Sequence, residues 1–328
     1  MITYANLSKR PFAFQSLTGM SLPAFERLFE AFIPAHFQRL ASTPTKRDGQ
    51  PRKRAYGGGP RHHHDLRERL VMALVWLRIY PTYEVLGFFF SLAKPNARFN
   101  VEEILETLLV EEILETLLSM TTFEFERPST ERKKLHSVDA VMEAFPDVVL
   151  VIDAKEQRIQ RPSGRDEEGN SRQRPYYSGK KAAHTLKNEI AVCPNGRVGA
   201  VSDSVPGSVH DLTLLRRTKL LERLDPDEGG MMDKGYDGIG KDHPDRPLYT
   251  PYKARRNRTL TELEAAYNAE LSSYRIVVEH TNAQLQKYQA LAQQYRHDRE
   301  KHARTVRIVA GLVNRQLEVV SLRVYGAE

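Results

Sequence analysis

The sequence predicts two structural classes in one chain, an all-α N-terminal part followed by an α/β part with a mixed sheet. Up to residue 109 the apolar residues recur at helical spacing. From residue 148 short apolar runs alternate with Gly- and Pro-containing turns and with helical stretches. The 328 residues are ample for a core of about 150–200 residues plus a smaller domain. The expected division is a helical segment with a basic linker over 1–59, a three-helix domain over 60–125, a connector over 126–147 and the α/β domain over 148–328.

In the first segment Ser21-Leu22-Pro23 is a helix entry, after which Phe25, Leu28, Phe29 and Phe32 share one face. Residues 41–64 interrupt this with Lys46, Arg47, Arg52, Lys53, Arg54 and Gly57-Gly58-Gly59-Pro60, a flexible basic linker able to follow a phosphate backbone. His62-His63-His64 is a poor metal motif, because consecutive residues do not face one site. Asp65 caps a helix to Tyr80 carrying Leu66, Leu70, Ala73, Leu74 and Leu77, and Pro81 stops it. Thr82 caps a second helix with Tyr83, Leu86, Phe89 and Phe90, and a third begins near Pro95 or Asn96. This spacing predicts a helix-turn-helix whose third helix would enter a DNA major groove by the end that carries Lys94, Asn96, Arg98 and Asn100. An ordinary three-helix packing unit has the same pattern. Val101–Leu109 is repeated without change at 110–118. Nine residues turn a helix by about 900°, a net half turn, so the two apolar sets would face opposite sides. An exact short repeat points to slippage, not to a solenoid.

In the α/β part the first strand covers 148–153 and a second covers 184–192. Pro194-Asn195-Gly196 makes a hairpin turn and Val198–Ser202 returns. A helix spans about His210–Leu221, Met231-Met232-Asp233 is a short strand, and Leu248-Tyr249-Thr250 is a further one. Long helices are expected over about 261–287 and 300–322.

The formal charge of +7 favours a polyanionic partner, most often nucleic acid. Cys193 stands alone, which excludes an internal disulfide and a cysteine-based zinc site and fits a reducing compartment. No apolar run reaches membrane length and the N-terminus lacks a secretory pattern, so a cytoplasmic protein without a membrane partner is expected. Asp153 closes the first apolar strand, Asp233 follows Gly230-Met231-Met232, and Glu279 sits within a late helix. A charge at the end of a buried strand is costly unless it is paired or holds a metal. Three such carboxylates could bind two Mg²⁺ ions and cut a phosphodiester. Among 42 acidic residues they could equally be unrelated surface acids.

More specific are six strings in order: Ile152-Asp153-Ala154, Tyr177-Ser178-Gly179-Lys180-Lys181, His184-Thr185-Leu186-Lys187, Pro206-Gly207-Ser208-Val209-His210-Asp211, Asp233-Lys234-Gly235-Tyr236 and Val277-Val278-Glu279-His280. Together they resemble the insertion-sequence-five group of bacterial DDE transposases, relatives of the eukaryotic Harbinger elements. The likeness covers about 60–325. It implies a ribonuclease H-like core preceded by a helix-turn-helix domain. It also implies Asp153, Asp233 and Glu279 as catalytic metal ligands for two Mg²⁺, with Mn²⁺ as the substitute. The implied partners are double-stranded DNA, as terminal inverted repeats and target, and further copies of the chain in a dimer or higher oligomer. The implied location is the bacterial cytoplasm, at the nucleoid. Lys180, Lys181 and His184 are expected to contact phosphates or the DNA strand. Lys234 and Tyr236 are expected near the strand to be cut, Tyr236 in support. Asp211 competes with Asp233 for the second place in the triad, but an acid in a first helical turn is explained by the helix dipole, so Asp211 and His210 are read as supporting residues. Gln284, Gln286 and Gln289 stand where relatives carry more basic residues. Two other readings stay open: a nuclease without strand transfer, and a non-catalytic DNA-binding protein.

Overall fold

The computed structural model describes residues 1–42, 62–109, 147–165, 167–254, 256 and 258–325. They fall into two units. One takes the described residues up to 109 together with 287–290 and 307–325, and the other takes those of 147–286 together with 291–306.

The first unit is helical. It comprises α1 (Tyr4–Leu7), α2 (Pro11–Thr18), α3 (Leu22–Ser42), α4 (Leu66–Ile79), α5 (Tyr83–Phe90) and α6 (Lys94–Leu108). Asp65 caps α4 by accepting from the Glu68 N–H at 2.8 Å, and Thr82 caps α5 by accepting from the Val85 N–H at 3.3 Å. Phe14, Phe25, Phe32, Leu70, Trp76 and Phe90 are buried in its core. Burying one large apolar side chain contributes about 1.5–3 kcal/mol, so these six contribute much of the unit's cohesion. Polar groups fix the helix directions. Glu103 on α6 pairs with Arg69 on α4 and with Arg39 on α3, the latter at 3.5 Å. Thr107 meets His36 Nδ1 and Arg39 Nε, both at 2.9 Å. His64 is no metal ligand here. Its Nδ1 bonds Glu68 Oε2 and its Nε2 bonds the Phe90 carbonyl, each at 2.7 Å, which ties the start of α4 to the end of α5. The first copy of the repeat lies in α6, where Val101, Ile104, Leu105 and Leu108 are buried. The second copy, most of the expected linker and most of the connector lie outside the described residues.

The second unit holds a mixed sheet. Its strands are β1 (Val148–Arg158), β2 (Tyr177–Ser178), β3 (Ala183–Val192), β4 (Val198–Val201), β5 (Val205–Pro206), β6 (Gly229–Met232) and β7 (Leu248–Tyr249). The order is β2-β3-β1-β6-β7, with β4 and β5 also paired to β3. β1 runs antiparallel to β3 and parallel to β6, and β6 runs parallel to β7. The helices are α7 (Asp211–Thr218), α8 (Ile239–Asp242), α9 (Glu262–Tyr274), α10 (Ile276–Gln286), α11 (Gln289–Ala292) and α12 (His302–Tyr325), and from Arg307 onward α12 groups with the first unit. The turn between β3 and β4 is as expected. Gly196 takes φ +86°, a left-handed value that favours glycine, and its N–H bonds the Cys193 carbonyl at 2.8 Å.

Two expectations are corrected. The first strand continues past Asp153 to Arg158, because β3 pairs with it as far as Arg158 opposite Thr185. The helix expected over 261–287 is two helices, α9 and α10, with Arg275 between them. Thr261 and Glu264 form a capping box at the start of α9, while the Arg275 N–H closes its end on the Leu271 carbonyl at 3.1 Å. Among the described residues no helix is long and apolar enough to cross a membrane.

Candidate active site

The parallel pairing of β1 and β6 sets Val151 opposite Met231 and Ile152 opposite Met232. The next residues of the two strands are Asp153 and Asp233. β6 ends at this point while β1 goes on beside β3, so both acids stand where the sheet loses one ladder. Ile152 and Met232 are buried in the cluster with Leu150, Leu215 and Tyr236. Side chains alternate along a strand, so Asp153 takes the opposite face, the side on which it meets α10.

Asp153 is half-buried, and burial raises its pKa above the ordinary carboxylate value. The Arg275 guanidinium works against this rise, and the carboxylates of Asp233 and Asp211 add to it. Asn282 of α10 donates from Nδ2 to Asp153 Oδ2 at 3.1 Å, while its own Oδ1 is buried with no hydrogen-bond partner. Lys155, two residues beyond Asp153 on the same face of β1, donates from Nζ to the Asn282 carbonyl at 3.3 Å. Burial pulls the Lys155 ammonium down to about 8, and Asp153 opposes that fall.

Asp233 Oδ1 accepts from the Gly235 N–H at 2.6 Å. A Cβ on Gly235 would stand 2.7 Å from Asp211 Oδ2 and 2.8 Å from Asp233 Oδ1, so the two carboxylates converge over a residue that must lack a side chain. Asp211 occupies the first turn of α7, as expected, but it is also held by a buried cation. Lys187 Nζ lies 2.7 Å from Asp211 Oδ1, 2.7 Å from the Val209 carbonyl and 3.6 Å from Glu156 Oε1. Behind them Glu189 is buried on β3, accepting from Thr218 Oγ1 at 2.9 Å, with its Oε2 unpaired. Burial pushes the Glu189 carboxyl up to about 7 against the Thr218 hydrogen bond, and Asp211 adds to the rise.

Glu279 is exposed on α10. Residues three apart on a helix share a face, so Glu279 lies on the face of α10 that carries Asn282, which acts on Asp153. Among the described residues no three or more His, Cys, Asp or Glu side chains stand close enough together to hold a metal ion. Lys180, Lys181, Lys234 and His210 are exposed. His184 is half-buried on β3, edge-on to the Tyr177 ring at 5.6 Å. Tyr236 is fully buried beneath the Asp233 loop and faces no solvent, so it anchors that loop and cannot touch a DNA strand. At the start of α6, Lys94, Asn96 and Arg98 are exposed. Asn100 is instead buried, with its amide donating to the Asn96 carbonyl at 2.8 Å.

Sequence reasoning passed over Asn282, Lys187, Glu189 and Lys155. The three-residue step from Glu279 was the legible signal for Asn282. Lys187 and Glu189 looked like ordinary polar strand positions and Lys155 lay past the expected strand end, since the sequence does not tell which of them the sheet buries.

Residues 152–314 match the family model of the DDE superfamily endonucleases. The probable transposase for insertion sequence element IS702 of Microchaete diplosiphon is 27% identical over 254 residues, 77% of this chain and 81% of that protein. Two Mos1 transposase structures also align: a paired-end complex with the left transposon end and a pre-cleavage transpososome. They cover 79% and 86% of this chain and 73% and 85% of theirs, at 12% and 11% identity and TM-scores of 0.22 and 0.20, values too low to bear on the fold.

Proposed function

We propose that this chain is a DNA transposase of the insertion-sequence-five group, with a ribonuclease H-like core and Asp153, Asp233 and Glu279 as its metal-binding triad. The observation that carries the reading is the parallel register that aligns Asp153 with Asp233, with Asn282 of α10 and the preceding Arg275 acting on Asp153. The donor set fits Mg²⁺ or Mn²⁺, because every candidate ligand is a hard oxygen. The raised Asp153 carboxyl and the unpartnered Asn282 oxygen are what an added cation would relieve. Divalent ions held there would stabilise the attacking and leaving oxygens of an in-line displacement.

The protein's own residues do the rest by position. Gly235 lets Asp233 and Asp211 approach, Lys187 compensates Asp211, and Asn282 holds the Asp153 carboxylate. Lys180, Lys181 and Lys234 are exposed cations suited to the backbone phosphates. Residues 60–125 are read as the helix-turn-helix domain for the terminal inverted repeats, with Lys94, Asn96 and Arg98 presented at the start of α6. Two copies of the chain would bring two element ends together before strand transfer.

The test uses the purified full chain, Mg²⁺ and a duplex carrying the element's terminal repeat. Asp153→Asn, Asp233→Asn and Glu279→Gln are each expected to abolish cleavage while gel-shift affinity stays within about twofold. Cleavage that survives all three substitutions would refute the triad. Cleaved ends that never join a target duplex would reduce the activity to that of an endonuclease.

A further inference from the structure

Asn282 is doubly held. Lys155 grips its backbone carbonyl at 3.3 Å and Asp153 accepts from its side-chain amide at 3.1 Å. This contact fixes the amide's orientation, since turning it over would set oxygen against the Asp153 carboxylate. The outcome is a buried amide oxygen without a donor, beside the Asp153 carboxylate. A buried acceptor left unsatisfied costs about 1–3 kcal/mol, and adjacent carboxylates add repulsion to that cost. An acceptor oxygen beside a carboxylate is suited to a bound cation. Glu279, one turn earlier on the same helix, is exposed and has more freedom to move.

From this we infer that Asn282 is the positioning residue of the divalent-cation site. It locks the rotation of the Asp153 carboxylate and supplies its own amide oxygen to the ion, with Lys155 anchoring it from the strand. The inference rests on the proposed reading of Asp153 as a metal ligand. It adds a neutral oxygen donor on α10 to the three acids.

The experiment measures Mn²⁺ affinity by titration calorimetry and melting temperature with Mn²⁺ or with EDTA, on the full-length chain without DNA. Asn282→Leu removes both the bond and the oxygen, and its Mn²⁺ affinity is expected to fall ten- to a hundredfold, the usual cost of losing a group that orients a metal ligand. Asn282→Asp keeps an oxygen but sets a second charge against Asp153. It is expected to melt lower than the natural chain in EDTA and to recover more on Mn²⁺ addition than the natural chain gains. A purely structural asparagine would show no such cation rescue. Asp153→Asn separates the two levels of the argument. Loss of binding in that variant, with Asn282→Leu binding as the natural chain does and Asn282→Asp unrescued, overturns the role of Asn282 and leaves the triad standing. Equal Mn²⁺ binding by the natural chain and Asp153→Asn overturns both.

Discussion

Gly235 is a single residue on which the shape of the site depends. Its missing side chain is what lets Asp211 and Asp233 approach each other, since a Cβ would stand 2.7 and 2.8 Å from their carboxylate oxygens. Gly235→Ala is expected to push the two acids apart at a cost of about 1–3 kcal/mol in stability, the range for overpacking, and to weaken Mn²⁺ binding by at least tenfold. Denaturant melts and metal titration of the variant test both. The two acids should then respond differently. Lys187 is buried and loses its closer carboxylate in Asp211→Asn while Glu156 remains at 3.6 Å, a change expected to cost about 1–3 kcal/mol. The loss in Asp233→Asn should fall on cation binding. If Asp211→Asn leaves the melting temperature unchanged, Asp211 is not the structural counter-ion that its geometry describes.

At the scale of elements, local signals were legible where a residue acts on its own neighbours. Asp65, Thr82 and the Pro194-Asn195-Gly196 turn are read from the chain alone and act as read. The length of β1 was not legible, because Asp153–Arg158 is mostly polar and becomes strand only through pairing with β3. Nor was the break at Arg275, which has neither Gly nor Pro to mark it and in which tertiary contacts override helix propensity. The two strand-side acids of the site could be anticipated, since an acid after an apolar run is conspicuous. The cations and amides that hold them could not, because their burial depends on the whole sheet. The repeat gives an element-scale prediction. Its first copy is built into the helical unit through Glu103, whose partner Arg69 is only 3% exposed. Glu103→Ala is therefore expected to cost about 3–5 kcal/mol by leaving Arg69 buried without its partner. Deletion of 110–118 is expected to keep or raise the melting temperature and to retain DNA binding. A deletion that unfolds the chain would show the second copy to be structural.

Across the molecule, three buried groups with large shifts contribute to how stability follows pH between about 7 and 4. Burial lowers His36 in the helical unit and His302 in the sheet unit to about 4, and it raises Glu189 to about 7. Unfolded histidines take up a proton near 6.5, whereas the native ones resist until about 4. Between those values the unfolded state binds more protons, so each histidine makes the protein less stable as pH falls. Glu189 has the opposite sign. Native Glu189 is protonated below about 7 while the unfolded residue waits until the ordinary carboxylate value of 4.5, so this group favours the folded state as pH falls through that window. The two histidines outweigh one glutamate, and the melting temperature should decline gently from pH 6.5 to 4.5. Glu189→Gln keeps an acceptor for Thr218, removes the opposing group and should steepen the decline. His302→Asn together with His36→Gln should turn it into a rise, because Glu189 then acts without them. Melting curves at half-unit pH steps, in EDTA so that no cation contributes, test the signs. A Glu189→Gln curve that runs flatter than that of the natural chain would refute the assignment, because removing a group that favours the folded state at low pH cannot reduce acid sensitivity.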